Sequence, residues 1–379
     1  MKLSTTLLMS STAMVMALSA SASERQNAAG EQRAERRQEG QQADDATKPA
    51  ATVTEAKASD SWLGNLGIRI IYENAVGMGT FTTTGDSAQP SWNMSYSILP
   101  SYVVDKKLKM KVGARFDFDH NVVENYASGN TVPNELQFYD IRLFFQQGSI
   151  VSLKTDAFGP LNKETGERSA VFDLGYTLQM FLPTSKASQI SNKVMGLGLS
   201  VAGTFIPTDF MTLSYGFGVT KNFNQYTQQA LDTSNFSAPL PSRAGGVEQL
   251  ADGLVALGGS NLEWSVSHDL SLGFAWPVGL GDMGLTIGWT YFQSFTYANN
   301  TKDEFASVNA QAGRGYTDLM RGVFELSWDP IPQFGVALGW LVDQTPKTAD
   351  NEDFRFPWWD TTNGADNRQT FYLDLVANF

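Results

Sequence analysis

Cysteine is absent from the 379 residues. That excludes disulfides, thiolate metal sites, a thiol nucleophile and the acylated cysteine of a lipoprotein. Histidine is nearly absent, with only His120 and His268, and there is no Gly-Lys-Ser/Thr phosphate loop. Catalysis that depends on a Cys or His metal cluster, a histidine pair or a phosphate loop therefore has no constellation to stand on. Long hydrophobic runs are missing too. Beyond the N-terminal segment no stretch of about 18 apolar residues occurs, so any membrane span in the remaining chain is made of strands. Net positive charge is lacking as well; the formal charge of −12 argues against nucleic acid as a partner.

Aromatic residues and glycine are abundant, with 34 Gly, 24 Phe, 12 Tyr and 9 Trp at a mean hydropathy of −0.22. This composition suits a transmembrane β-barrel better than a helical membrane protein. The chain opens with Lys2 and an apolar run through Leu7, Leu8, Met14, Val15, Met16 and Leu18, then Ala20-Ser21-Ala22. Residues 1–22 read as a cleaved secretory signal peptide. Its removal takes away the +1 of Lys2 and leaves −13. Residues 23–60 form a block of Gln, Glu and Arg with almost nothing apolar to bury, and read as a disordered or partly helical periplasmic tail. Entry of this tail into a lumen as a plug, or its binding of a periplasmic partner, is the other reading.

Residues 61–379 alternate with period two. The last stretch is clearest: Phe371, Leu373, Leu375, Ala377 and Phe379 share one face, with Tyr372, Asp374 and Asn378 on the other. A terminal Phe preceded by alternating apolar residues resembles the closing strand of bacterial outer-membrane β-barrels. The resemblance implies that Phe371, Leu373, Leu375 and Phe379 act as the signal read by barrel-assembly machinery. Eleven more alternating segments precede it, at about 66–74, 91–104, 108–120, 136–145, 168–182, 194–206, 211–221, 261–276, 283–297, 317–329 and 333–343. Short turns alternate with long loops between them, as expected when short turns face the periplasm and long loops the exterior. The connection after 136–145 breaks that rule, so 146–167 could hide another hairpin. The expected fold is an all-β, antiparallel, up-and-down transmembrane barrel of about 12 strands, or 14 with that hairpin.

Such a barrel faces lipid outward and water inward, and the alternation sorts side chains accordingly. Trp92, Tyr102, Trp264, Trp276, Trp289, Trp328 and Trp340 fall on the outer face as an aromatic girdle. At roughly 3.3 Å per residue and a tilt of about 40°, Trp264 and Trp276 lie about 30 Å apart along the membrane normal. Arg69, Glu73, Lys109, Lys111, Arg115, Asp117, Asp119, Asp140, Arg142, Arg321 and Glu325 fall on the inner face as pore-lining residues, as do Asp173, Glu263, Asp269 and Asp374. Segments 194–206 and 211–221 offer Gly196, Gly198, Gly216 and Gly218 there instead.

Residues 222–260 form the longest loop, where Val247, Leu250, Leu254 and Leu257 suggest a short amphipathic helix. The last loop sets Phe354-Arg355-Phe356-Pro357-Trp358-Trp359 beside Asp350, Glu352, Asp353 and Asp360, without the spacing of a calcium loop. His268 falls on the outer face, which raises comparison with outer-membrane phospholipase A. That family's His-x-Ser arrangement is absent, because His268-Asp269-Leu270-Ser271 puts Ser271 on the opposite face. A neutral His268 hydrogen-bonded to Tyr291 or Gln293 is the expected arrangement. The sequence thus points to a porin-like passive channel for small polar solutes, with no cofactor and no metal. Its neighbours would be outer-membrane lipid and assembly machinery. A closed barrel acting through its outer loops is the alternative, and a lipid hydrolase comes third.

Overall fold

A computed structural model describes the chain from Trp62 onward; residues 1–61, 78–90, 125–134, 156–158, 160–170, 186–187, 190, 233–247, 250–253, 300–312, 348–351 and 357–367 lie outside the described residues. The expected signal peptide, the tail, and Asp350, Trp358, Trp359 and Asp360 fall in those gaps. A 3₁₀ turn, Trp62–Asn65, leads into β1 (Leu66–Gly77), β2 (Ser91–Asp105), β3 (Met110–Glu124), β4 (Glu135–Phe138) and β5 (Ile141–Leu153). Then come β6 (Phe172–Leu182), β7 (Lys193–Thr208), β8 (Met211–Asn224), β9 (Gln228–Asp232), β10 (Glu248–Gln249) and β11 (Leu254–Ser260). The chain finishes with β12 (Leu262–Pro277), β13 (Asp282–Asn299), β14 (Gly313–Ile331), β15 (Phe334–Gln344) and β16 (Arg368–Asn378).

Thirteen of these strands form one antiparallel sheet in the order β2-β1-β16-β15-β14-β13-β12-β8-β7-β6-β5-β3-β4, and β2 also pairs with β3, so the sheet closes on itself. Both β4 and β5 pair with β3 and make one broken strand, so the barrel has twelve. The seam joins β1 to β16 in continuous register, Ile70 against Ala377 and Glu73 against Asp374. The Phe379 carbonyl accepts from the Ile68 N–H at 3.0 Å, and the Phe379 N–H donates back at 2.9 Å.

Three expectations are corrected. First, β5 runs on to Leu153, so Ile150-Val151-Ser152-Leu153 ends the fourth strand and is no part of an extra hairpin among the described residues. Second, Leu254 and Leu257 lie on β11, which pairs with β9 and β10 in a small separate sheet where a helix was expected. Apolar residues over so short a run do not separate the two periodicities. Third, the fourth strand changes phase. Register runs Arg115 to Arg142, then resumes at Phe118 with Phe138, so the β4–β5 side holds one extra residue. This bulge puts Leu136 and Phe138 outward, 52% and 60% exposed, and turns Gln137 to the face of Asp119. Unbroken alternation from Leu143 and Phe145 back along 136–145 would put Gln137 and Tyr139 outward. Tyr139 instead donates from its hydroxyl to Asp119.

Candidate functional site, the inner face of a closed barrel

Period-two alternation in a closed sheet gives two walls with opposite chemistry. Outward-phase residues are exposed: Leu178 46%, Leu326 43% and Leu338 58%. In water each large apolar side chain left open would forgo about 1.5–3 kcal/mol of burial. The inward phase is polar and buried, with Ser265, Asp140 and Arg142 each 2% exposed. Among the described residues no helix is long and apolar enough to span a bilayer, and the strands carry the apolar belt. This is a transmembrane barrel of the bacterial outer-membrane type.

The belt has its aromatic rim. Trp264 and Trp276 are both 37% exposed at opposite ends of β12, and Trp92 and Tyr102 sit at opposite ends of β2. Trp92 Nε1 donates to Asn74 Oδ1 at 2.9 Å, and Trp328 Nε1 donates to the Leu280 carbonyl at 2.8 Å beside the β12–β13 turn. Trp289 is placed differently. It pairs with Leu270, half-way between Trp264 and Trp276, and stacks at 6.3 Å against Tyr291, so it lies in the middle of the belt. Trp340 stacks on Phe324 at 5.7 Å across β14 and β15.

On the inner face β3 and β5 bring Arg115 and Arg142 directly opposite each other. Like charges in that relation repel unless something lies between them. Asp117 does: its carboxylate accepts from Arg115 Nε at 2.8 Å and from Arg142 Nη2 at 2.7 Å, and the Ser97 hydroxyl also donates to it. Two residues further along β3, Asp119 accepts from Asn93 Nδ2 of β2 at 3.1 Å. The Phe181 ring, 3% exposed, lies over Gly196 and Gly198 and is flanked by Arg142 at 5.9 Å and Lys193 at 5.4 Å. Lys111 sits over Phe144 at 5.8 Å.

Asp140 falls in the break between β4 and β5. It accepts from the Ser185 N–H at 3.0 Å, the Ser188 hydroxyl and Lys193 Nζ at 3.1 Å. Those partners bring the connection between β6 and β7 inward, and Ser185 and Ser188 are buried. The far end of that connection is fixed by Asn261, fully buried, which donates from Nδ2 to the Ser191 carbonyl at 2.8 Å. Sequence spacing gave no sign of either partnership, because the residues lie dozens of positions apart.

The opposite sector holds Arg321, paired with Asp343 at 2.7 Å, and Glu325, which accepts from the Tyr372 hydroxyl at 2.9 Å. Tyr372 reaches Glu325 across β15 because Gly339 has no side chain; a Cβ there would overlap the ring. Arg69 and Glu73 lie on β1, with Glu73 opposite Asp374 on β16. Asp343 shares the inward phase of Ala337 on β15, and spacing alone does not mark it as the partner of Arg321. Each of these ion pairs joins side chains on the same strand, on neighbours, or on strands one apart.

Two expected inner residues are placed elsewhere. Lys109 is in the turn between β2 and β3, with φ 49°, and its exposed side chain meets Asp173 at 3.7 Å at the periplasmic rim. Glu263 sits at a register shift in β12 and turns out to Lys221 at 2.6 Å and Arg314 at 2.6 Å. His268 is outward as expected, but its partner lies on β8: Nδ1 is 2.9 Å from the Tyr215 hydroxyl. Neither expected partner, Tyr291 nor Gln293, is the one bonded. Among the described residues no group of three or more His, Asp or Glu is placed to hold a metal ion.

No protein-family profile matches the chain, and no curated protein matches it in sequence. Solved structures resemble it in outline. An outer-membrane channel from Pseudomonas putida F1 is 10% identical, with 86% of this chain and 100% of that chain covered at a TM-score of 0.45. The β domain of the Bordetella autotransporter Brka is 8% identical over 83% and 99%, at 0.38. The NanC porin is 8% identical over 82% and 98%, at 0.36.

Proposed function

We propose that the protein is a narrow, passive, porin-like channel for small polar solutes in the bacterial outer membrane, with the inner-face charges setting its preference. The observation that supports this most directly is the way those charges are held. The Arg115–Asp117–Arg142 group and the Arg321–Asp343 pair join side chains of the same or neighbouring strands. On β7 and β8, Gly196, Gly198, Gly216 and Gly218 add no side chain of their own to the inner face, and the Phe181 ring, Asp269 and Ser267 lie against them. Fixed charges around a polar lumen orient solutes and select ions. Carboxylates outnumber cations on this wall, so a modest cation preference is expected.

The deciding measurement is single-channel conductance of the refolded protein in a planar bilayer, with the mature chain and with residues 23–60 removed. Steady conductance in both supports the channel, and current only in the shortened form makes the tail a plug. Silence in both favours the second reading, a closed barrel acting through its outer loops. The burial of Arg115, Asp119, Asp140 and Arg142 speaks for that reading. A lipid hydrolase has less support: His268 contacts Tyr215, Phe217 and Tyr291, and none of these is a serine awaiting a base. Lipase activity abolished by His268→Ala would restore it.

A further inference from the structure

Among the described residues, polar and charged side chains gather on the lipid-facing wall in the extracellular half of β8, β12, β13 and β14. At the level of Trp264, Lys221 Nζ sits 4.7 Å from the Trp264 ring centre and 4.9 Å from that of Tyr297. Glu263 bridges it to Arg314, with 2.6 Å on each side. Lys221 and Arg314 belong to the outward phase of their strands, with Phe223 and Tyr316, which are 40% and 48% exposed. The three side chains carry a net single positive charge at the rim.

Deeper in the belt a second polar group follows. Asp318 shares the outward phase of Tyr316 and accepts from the Tyr291 hydroxyl at 3.1 Å and the Tyr316 hydroxyl at 3.2 Å. Gln293 donates to the Tyr316 hydroxyl at 3.2 Å. A carboxylate facing hydrocarbon is costly, and a charged side chain held at that depth marks a site. The phenols take up only part of its accepting capacity, since an ionised carboxylate offers about four lone-pair positions.

We propose that this sector binds the headgroup of an outer-leaflet phosphoglycolipid, a phosphorylated sugar bearing amide- and ester-linked acyl chains. Lys221 and Arg314 take the phosphate by charge-assisted hydrogen bonds. Trp264 offers a flat face to the sugar ring at the interface. Asp318 accepts from the amide N–H or hydroxyl groups where the acyl chains begin, and Gln293 and the phenols hold it in place. Donors above and an acceptor below match that order of groups. A glycerophospholipid has the phosphate but neither sugar nor amide, and leaves Asp318 unmatched. The site lies outside the lumen and does not depend on whether the barrel conducts.

The test uses the full exported chain in detergent micelles, with lipid A as the probe and phosphatidylglycerol as the second source of phosphate, read by native mass spectrometry. Wild type should retain a one-to-one lipid A adduct. Lys221→Ala with Arg314→Ala should weaken retention by about tenfold. Asp318→Asn, which keeps size and fold, should weaken lipid A alone. Lys106→Ala in the periplasmic β2–β3 turn should change nothing. The proposal is overturned if wild type keeps no stoichiometric lipid A, if phosphatidylglycerol is held equally well, or if the double variant binds as wild type does. It is overturned too if wild type is an oligomer that Asp318→Asn dissociates, since a second copy would then be the occupant.

Discussion

Asp117 is the residue on which the charged wall turns. Two guanidinium groups directly across a strand pair are tolerable only with an anion between them, and one carboxylate serves both. Asp117→Asn is expected to destabilise the barrel by about 3 kcal/mol or more, as uncompensated buried charges do; the urea midpoint in lipid vesicles checks it. Gly339 works by absence. Gly339→Ala should cost about 1–3 kcal/mol by forcing Tyr372 off Glu325. The cost should nearly vanish when Tyr372 is also changed to Ser, and unfolding of the four members of that cycle measures it. At this scale the sequence is readable for phase and blind to partnership. Alternation puts Arg115, Asp117 and Arg321 inward, but nothing in it says that Asp117 is shared or that Asp343 waits for Arg321. The outward carboxylate Asp318 was readable as a break in an apolar stripe, and Glu263 was not, because a register shift reverses its face.

Strands were the most legible elements, since two solvents impose one pattern on every crossing. Alternation holds along most of each described barrel strand, and the irregular fourth strand slips twice, by one residue at the β4–β5 break and by two between Gln147 and Val151. A bulge leaves no trace in alternating hydrophobicity until the phase is seen to slip, and here two polar-aromatic positions, Gln137 and Tyr139, hid the slip. The bulge places Asp140 where it fastens the β6–β7 connection. Asp140→Ala removes the acceptor of the Ser185 N–H, the Ser188 hydroxyl and Lys193 Nζ at once. Residues 183–192 are then expected to be cut much faster by protease added from the extracellular side, while the barrel core resists. Equal cutting of wild type and variant would remove Asp140 from that role. The β9–β11 sheet was illegible for a different reason: in a loop outside the bilayer, neither lipid nor a core dictates a period.

For the whole molecule, an inner wall with excess carboxylate predicts a reversal potential displaced toward the cation in a salt gradient. Changing Glu325 or Asp374 to its amide should reduce that displacement, and changing Arg321 should increase it; planar-bilayer recordings under asymmetric potassium chloride check both. Solute identity was not legible, because alternation reports which side chains are wet and not how far apart opposite walls stand. The seam between β1 and β16 has one further consequence, for the order of events in folding. Every other pairing in the wall joins strands near in sequence, whereas Ile70 against Ala377 brings together opposite ends of the chain. Contacts of such separation form late, because the loop between them must be gathered first. Until then two unpaired edges stand open, each able to take a strand from a neighbouring copy.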